Sequence, residues 1–154
     1  MIDAELAAFL SGGVSIVATS RGADGWPTPA RASGCRVSAD GRRVTLIFAA
    51  SRSTALLEAL GATGAIAAVF NEPGTHRSIQ LKAADALAGA AAPDDRALVE
   101  RYAEAFSRAC TPLGYAEQPT RAMVWAPPED LVAVSFSPSR GFNQTPGPRA
   151  GAPL

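Results

Sequence analysis

Ser51-Arg52-Ser53-Thr54 is the stretch of the chain richest in chemistry. An arginine set among three hydroxyls supplies a permanent positive charge and several hydrogen-bond donors, which is what a bound anion requires. Its setting sharpens that reading. Val44–Phe48 is a β-branched and aromatic run suited to a half-buried strand, and it follows Asp40-Gly41, a hairpin-tip dipeptide. After the cluster, Leu56, Leu57 and Leu60 mark one face of a short helix with Gly61 as its stop. The cluster therefore falls at a helix N-terminus, where several amides lack intrahelical partners and the macrodipole leaves about half a positive charge. Phosphate is the anion most often held in such a place. Two readings stay open on these residues alone. Either they cradle a phosphate, or Ser51 or Ser53 caps the helix while Arg52 sits in solvent. The Gly-x-x-x-x-Gly-Lys spacing does not occur, so this is not a nucleoside-triphosphate loop.

The other reactive residue types are sparse. Cys35 lies in an expected strand and Cys110 at the end of an expected helix, far apart in sequence and without Cys or His neighbours at metal-ligand spacing. They read as small buried hydrophobes. His76 is the single histidine, which argues against a His-based zinc site, and no metal site is expected. Glu129 and Asp130 are adjacent in a loop and diverge, so they are poor as a catalytic carboxylate pair. Charge is balanced, with 14 basic against 14 acidic residues and no run of one sign. The basic footprint of a nucleic-acid binder is missing. No basic segment followed by a long apolar core opens the chain, and no apolar run nears the ~20 residues of a membrane-spanning helix. The expectation is a cytoplasmic protein with neither nucleic acid nor membrane as partner.

Residues 1–154 read as one domain. Asp3–Leu10 is a short helix ended by Ser11-Gly12-Gly13, and Val14–Thr19 a strand. Gly22-Ala23-Asp24-Gly25 is turn chemistry. Pro27 and Pro29 make the first half of the next segment irregular, with regular pairing from about Arg31 to Val37. Ala65–Phe70, almost wholly apolar, is expected to be buried on both faces. Thr75–Leu87 reads as one longer strand with Ser78, Gln80 and Lys82 on one side and Ile79 and Leu81 on the other. Those polar positions are either a solvated face or, in a barrel, the lining of a cofactor pocket. Pro93-Asp94-Asp95 opens the longest helix, whose apolar face is Leu98, Val99, Tyr102, Phe106 and Ala109. Ala122–Ala126 and Leu131–Phe136 are two further strands, and the Pro/Gly-rich tail from about Ser137 is expected to be extended. The sum is a mainly β, α+β domain: a split β-barrel of about six to seven antiparallel strands with roughly three flanking helices.

This order of elements, with these residues in it, resembles the pyridoxamine 5'-phosphate oxidase-like, FMN-binding split-barrel family. The resemblance runs from about Phe9 to Gly147 and rests on four points. Arg31 opens the second barrel strand with Arg36 five positions on; Ser51-Arg52-Ser53 follows the third strand; Thr75–Lys82 looks like the central strand bearing polar flavin contacts; and Phe142–Pro148 is similar to tails in uncharacterised members. The resemblance implies FMN as cofactor and Arg31, Arg36, Ser51, Arg52, Ser53, Ser78 and Gln80 as the residues that hold it. It implies an oxidoreductase acting on an unidentified small-molecule substrate or reductant, and a homodimer with the cofactor at the interface. The alternative on the same fold is a non-catalytic module that carries a flavin, a deazaflavin or haem. True pyridoxamine phosphate oxidases have a lysine where Ser53 stands, an Arg-Leu-His ending that this tail lacks, and in many members a glycine where Ala83 stands. Oxidation of pyridoxamine phosphate itself is therefore not expected.

Overall fold

Asp3 begins the first element as its cap: the Asp3 carboxylate accepts a hydrogen bond from the Leu6 amide at 2.8 Å, and α1 runs Ala4–Leu10. In the computed structural model, which describes residues 2–154, two antiparallel sheets follow. The strands are β1 (Ser15–Thr19), β2 (Ala30–Arg31), β3 (Gly34–Val37), β4 (Val44–Ala49), β5 (Ile66–Asn71), β6 (Ser78–Ala83), β7 (Leu87–Ala90), β8 (Leu131–Phe136) and β9 (Arg140–Asn143). One sheet has the order β2-β1-β5-β6-β9 and the other β3-β4-β8-β7. The remaining helices are α2 (Thr54–Thr63), α3 (Asp95–Cys110) and α4 (Glu117–Val124). The mixed α+β architecture expected from the sequence is what the chain adopts, with its barrel open between the two sheets.

The chain passes between the sheets at short corners, each held from both sides. Between β2 and β3 the Ala32 amide donates to Ile16 in the first sheet, and the next amide, Ser33, donates to Ile47 in the second. Between β8 and β9 the Asp85 carboxylate accepts from the Ser137 amide at 2.9 Å. The core fills the space between the sheets with Ile16, Leu46, Phe48, Phe70, Val134 and Phe136, all fully enclosed. Val44–Ala49 is buried at every position, not half-buried as its composition suggests. Its second face is covered as well, since Ile47 packs with Val99 of α3 and with Ala133.

Several expectations are corrected. Gly61 lies inside α2, and the helix stops at Gly64, whose φ of 65° is the left-handed conformation a side chain disfavours. Thr75–Leu87 is two strands in different sheets, broken at Ala84-Asp85-Ala86. β5 alternates between buried and half-exposed residues instead of being enclosed on both faces. The segment 122–126 is not a strand: Met123 and Val124 end α4, whose buried positions Thr120 and Val124 are four apart and whose Pro119 sits harmlessly in the first turn. Arg121 ties that helix to α3 through Glu100 at 2.5 Å. The tail is folded, not merely extended. β9 pairs with β6, and the last residues turn back so that Leu154 donates to Gly141 and Asn143 to Ala152. Among the described residues no helix is long and apolar enough to cross a membrane.

Candidate functional site

The buried strand β4 ends in a 3-10 turn, Ala50–Arg52, that delivers Ser51, Arg52 and Ser53 to the start of α2. The sequence leaves the choice between cradle and cap open, and the geometry bears on it directly. Ser53 stands at the N-cap position but its side chain makes no capping bond. Its hydroxyl is buried and has no hydrogen-bond partner among the described residues. An enclosed hydroxyl without a partner is costly, on the order of 1–3 kcal/mol, so this atom is the strongest sign of a ligand position in the cluster.

Arg52 spans from this turn to the end of α4. Its guanidinium donates to the Trp125 carbonyl at 2.6 Å and the Met123 carbonyl at 3.4 Å, where the macrodipole of α4 is negative. Ser51 is engaged too. Its amide donates to Asp130 at 2.9 Å and its hydroxyl to the other oxygen of the same carboxylate at 2.6 Å. These two bonds, and then the Arg52 charge, hold the Asp130 carboxyl below the usual carboxylate range. Asp130 has a role that its local sequence does not advertise. Its partner lies 79 positions away.

The second group of expected residues lies on the outer face of the five-stranded sheet. Residues directly opposite each other share a face, and the register aligns Arg31, Val17, Val69, Gln80 and Phe142 in one row across β2, β1, β5, β6 and β9. Arg31 and Gln80 are thus three strand spacings apart, roughly 14 Å. Ser78 and Gln80 share this face. Ser78 is buried and fully engaged, since its hydroxyl accepts from Asn71 at 2.6 Å and donates to the His76 carbonyl at 3.0 Å. Gln80 is half-buried and its carbonyl oxygen accepts from Gln144 of the tail at 3.4 Å. Lys82, next along the same face, stands 5.5 Å from the Phe142 ring centre.

Arg31 donates to the Ser15 hydroxyl at 2.8 Å. It lines a cavity of about 330 Å³ with Ser15, Asn71, His76, Phe106 and Met123. His76 holds a φ of 58°, unusual for a residue with a side chain. Met123 links the two groups, because it lines the cavity while its carbonyl accepts from Arg52. Arg36 is not brought to either. Expected from the resemblance among the residues that hold FMN, it instead reaches α3, where Nε donates to Asp95 at 2.8 Å and the carboxylate is 1 % exposed. Asp95 also accepts from the Ala92 amide at 2.7 Å. Both cysteines are buried and unpaired, as expected, and burial pushes the Cys35 thiol far up. Among the described residues no cluster of His, Cys, Asp and Glu could hold a metal ion.

No protein-family model and no curated protein matches the chain. Solved structures do. A Group A Streptococcus HupZ structure matches at a TM-score of 0.59 with 16 % identity, over 98 % of this chain and 100 % of that one. An F420 reductase matches at 0.52 with 15 % identity, over 87 % of this chain and 93 % of that one. A pyridoxamine 5'-phosphate oxidase-related, FMN binding protein from Nostoc punctiforme matches at 0.50 with 10 % identity, over 89 % and 77 %. At these identities the likeness is one of fold: the chain has the architecture of the pyridoxamine 5'-phosphate oxidase-like split-barrel proteins.

Proposed function

We propose that this split barrel binds a flavin-type cofactor, FMN, and that it is an oxidoreductase acting on a small molecule. The observation that carries the reading is the buried, unpartnered Ser53 hydroxyl at the start of α2, beside Arg52. A phosphomonoester fits that donor set: a hydroxyl lacking an acceptor, the first amides of a ten-residue helix and a guanidinium. Because the hydroxyl is enclosed, a ligand reaches it only when the surrounding side chains move. Fold neighbours include a protein described as FMN binding and an F420 reductase, which supports a flavin or deazaflavin in this architecture.

When bound, the flavin ring would supply the redox chemistry. The chain's own residues bind and orient. Ser51, Arg52 and Ser53 hold the phosphate, while Gln80 offers an amide to the ring edge from the outer sheet face. Arg31 adds positive charge on the same face. Ser78 acts through Asn71 and the tail by fixing the backbone of β6, and Arg36 stays with Asp95. The half-exposed apolar residues of that face, Val17, Val69 and Phe142, suit burial against a second copy in a homodimer with the cofactor between subunits. A cytoplasmic setting belongs to the same reading, and the two buried free thiols suit it.

The test is a titration of the purified chain with FMN and with riboflavin, followed by flavin fluorescence. FMN is expected to bind at least about tenfold more tightly than riboflavin, because charge-assisted bonds to phosphate contribute roughly 1.5–3 kcal/mol each. Arg52→Ala and Ser53→Ala should each remove most of that preference. Equal affinity for the two flavins, or an FMN affinity untouched by Arg52→Ala, would falsify the phosphate assignment.

A further inference from the structure

The donors of Ser51 already hold an anion, and it belongs to the chain itself. Both oxygens of the Asp130 carboxylate are used, one on the Ser51 amide and one on the Ser51 hydroxyl. A phosphate would present two oxygens to this same pair of donors. Asp130 closes the 3-10 turn Pro128–Asp130, where its own amide donates to the Pro127 carbonyl at 3.0 Å. The short proline-rich turn therefore holds the carboxylate against Ser51, in the turn that leads into α2. Two residues further along the cradle the Ser53 hydroxyl has no partner among the described residues. Within the cluster, Ser51 is thus filled by an internal acid and Arg52 by two carbonyls, and the Ser53 hydroxyl alone is left over.

We propose that Asp130 is a built-in occupant of the phosphate cradle, a carboxylate that an incoming phosphomonoester must displace from Ser51. The inference rests on the flavin-phosphate reading given above. Its chemistry is an exchange of one anion for another at the same two donors, with no covalent step. Two consequences follow. A bound phosphate that fails to displace Asp130 keeps only Ser53, Arg52 and helix amides, and faces a like charge across a short gap. A phosphate that does displace it takes over both Ser51 donors and leaves Asp130 to water, where an exposed carboxylate is well solvated. Asp130 is therefore a specificity-determining residue. It lowers affinity for anything entering the cradle, and the ligand that overcomes it must carry a strong, doubly charged acceptor.

The experiment compares the full chain with Asp130→Asn and Asp130→Ala, using FMN and riboflavin as probes and flavin fluorescence as the readout. Asparagine keeps the shape and removes the charge; alanine removes the second acceptor as well. Both variants should bind FMN at least about tenfold more tightly than the parent, while riboflavin affinity stays within about twofold. Inorganic phosphate should also displace FMN from the variants at lower concentration than from the parent. Unchanged or weakened FMN binding in both variants, with the FMN preference over riboflavin intact, overturns the role of Asp130 and leaves the cradle standing. No preference for FMN over riboflavin in parent or variants removes the cradle and this inference together.

Discussion

The pair formed by Arg36 and Asp95 offers the sharpest quantitative test, because its two halves are buried so unequally. The Asp95 side chain is 1 % exposed, whereas that of Arg36 is 45 % exposed. Arg36→Ala strands a carboxylate in the interior with only the Ala92 amide left to it. Breaking a buried pair in that way costs about 3–5 kcal/mol, and the lower end applies because water can follow into the space left by a half-exposed side chain. Asp95→Asn does something milder. The amide oxygen still accepts from Arg36 or Ala92, and the freed guanidinium is already half in solvent. The single amide oxygen serves only one of the two sides, so one charge-assisted bond is lost and the other made neutral, about 1–2 kcal/mol. Arg36→Ala should therefore be the more damaging change, although the charge it removes is the more exposed one. In urea titrations with a slope of about 2 kcal/mol/M, the midpoint falls by roughly 1.5 M for Arg36→Ala and by less than about 1 M for Asp95→Asn. FMN affinity of folded Arg36→Ala should stay within about twofold of the parent. A larger loss for Asp95→Asn, or an Arg36→Ala protein of normal stability that no longer holds flavin, refutes the assignment of Arg36 to the fold.

Two further predictions concern the backbone and acid stability. Gly61→Ala should stabilise by about 0.5–1 kcal/mol, since a side chain there stands inside α2 and meets nothing within 4 Å. Gly64→Ala should destabilise by more than about 1 kcal/mol, because φ is 65° and the added carbon comes within 2.8 Å of the Ala84 carbonyl oxygen. Urea midpoints of the two variants decide it, and opposite signs would return the helix stop to Gly61. The acid limb of the stability curve should carry Asp130, held low by Ser51, Asp40, held low by the Ser38 hydroxyl, and Asp85, held low by the Ser137 amide. Each has a folded pKa below its unfolded one. Its stabilisation is thus full above the ordinary carboxylate range near 4 and is lost as the pH falls through the folded value. Asp130→Asn should flatten the fall of the urea midpoint below about pH 4 without steepening it anywhere; a steeper acid limb would contradict the sign.

What the sequence made legible is what local rules govern. Asp3, the Asp40-Gly41 hairpin and the one-faced pattern from Val99 to Phe106 each depend on residues a few positions apart, and each appears as expected. Where a local signal suits two structures, contacts distant in sequence choose between them. Ala122-Met123-Val124-Trp125 is apolar enough for a strand, but Met123 and Val124 end a helix that buries Thr120 and Val124 and packs on α3, with Arg121 paired to Glu100 and Glu104. Thr75–Leu87 keeps a strand-like pattern through a corner, since nothing in Ala84-Asp85-Ala86 announces that Asp85 will bind the Ser137 amide from 52 positions away. Gly61 is the first glycine after the leucine face, but the stop falls at Gly64, where φ is 65° and the Ala84 carbonyl leaves no room for a side chain.

The candidate site divides along the same line. That Ser51, Arg52 and Ser53 gather donors at a helix start could be read from their types and from the strand before them. Which acceptors those donors meet could not, because Asp130, Met123 and Trp125 arrive from more than seventy residues downstream. The contacts also rank the donors in a way that residue types cannot. Arg52 is exposed and holds carbonyls that water could serve equally well, so its bonds are cheap to give up. Ser51 is satisfied by a carboxylate, so a ligand gains there only by exchange. Ser53 is enclosed and has no partner among the described residues, so of the three side chains it gains a full hydrogen bond when a phosphate arrives. A single hydroxyl thus carries more of the binding argument than the arginine beside it, and Ser53→Ala should cost FMN more affinity than Ser51→Ala does.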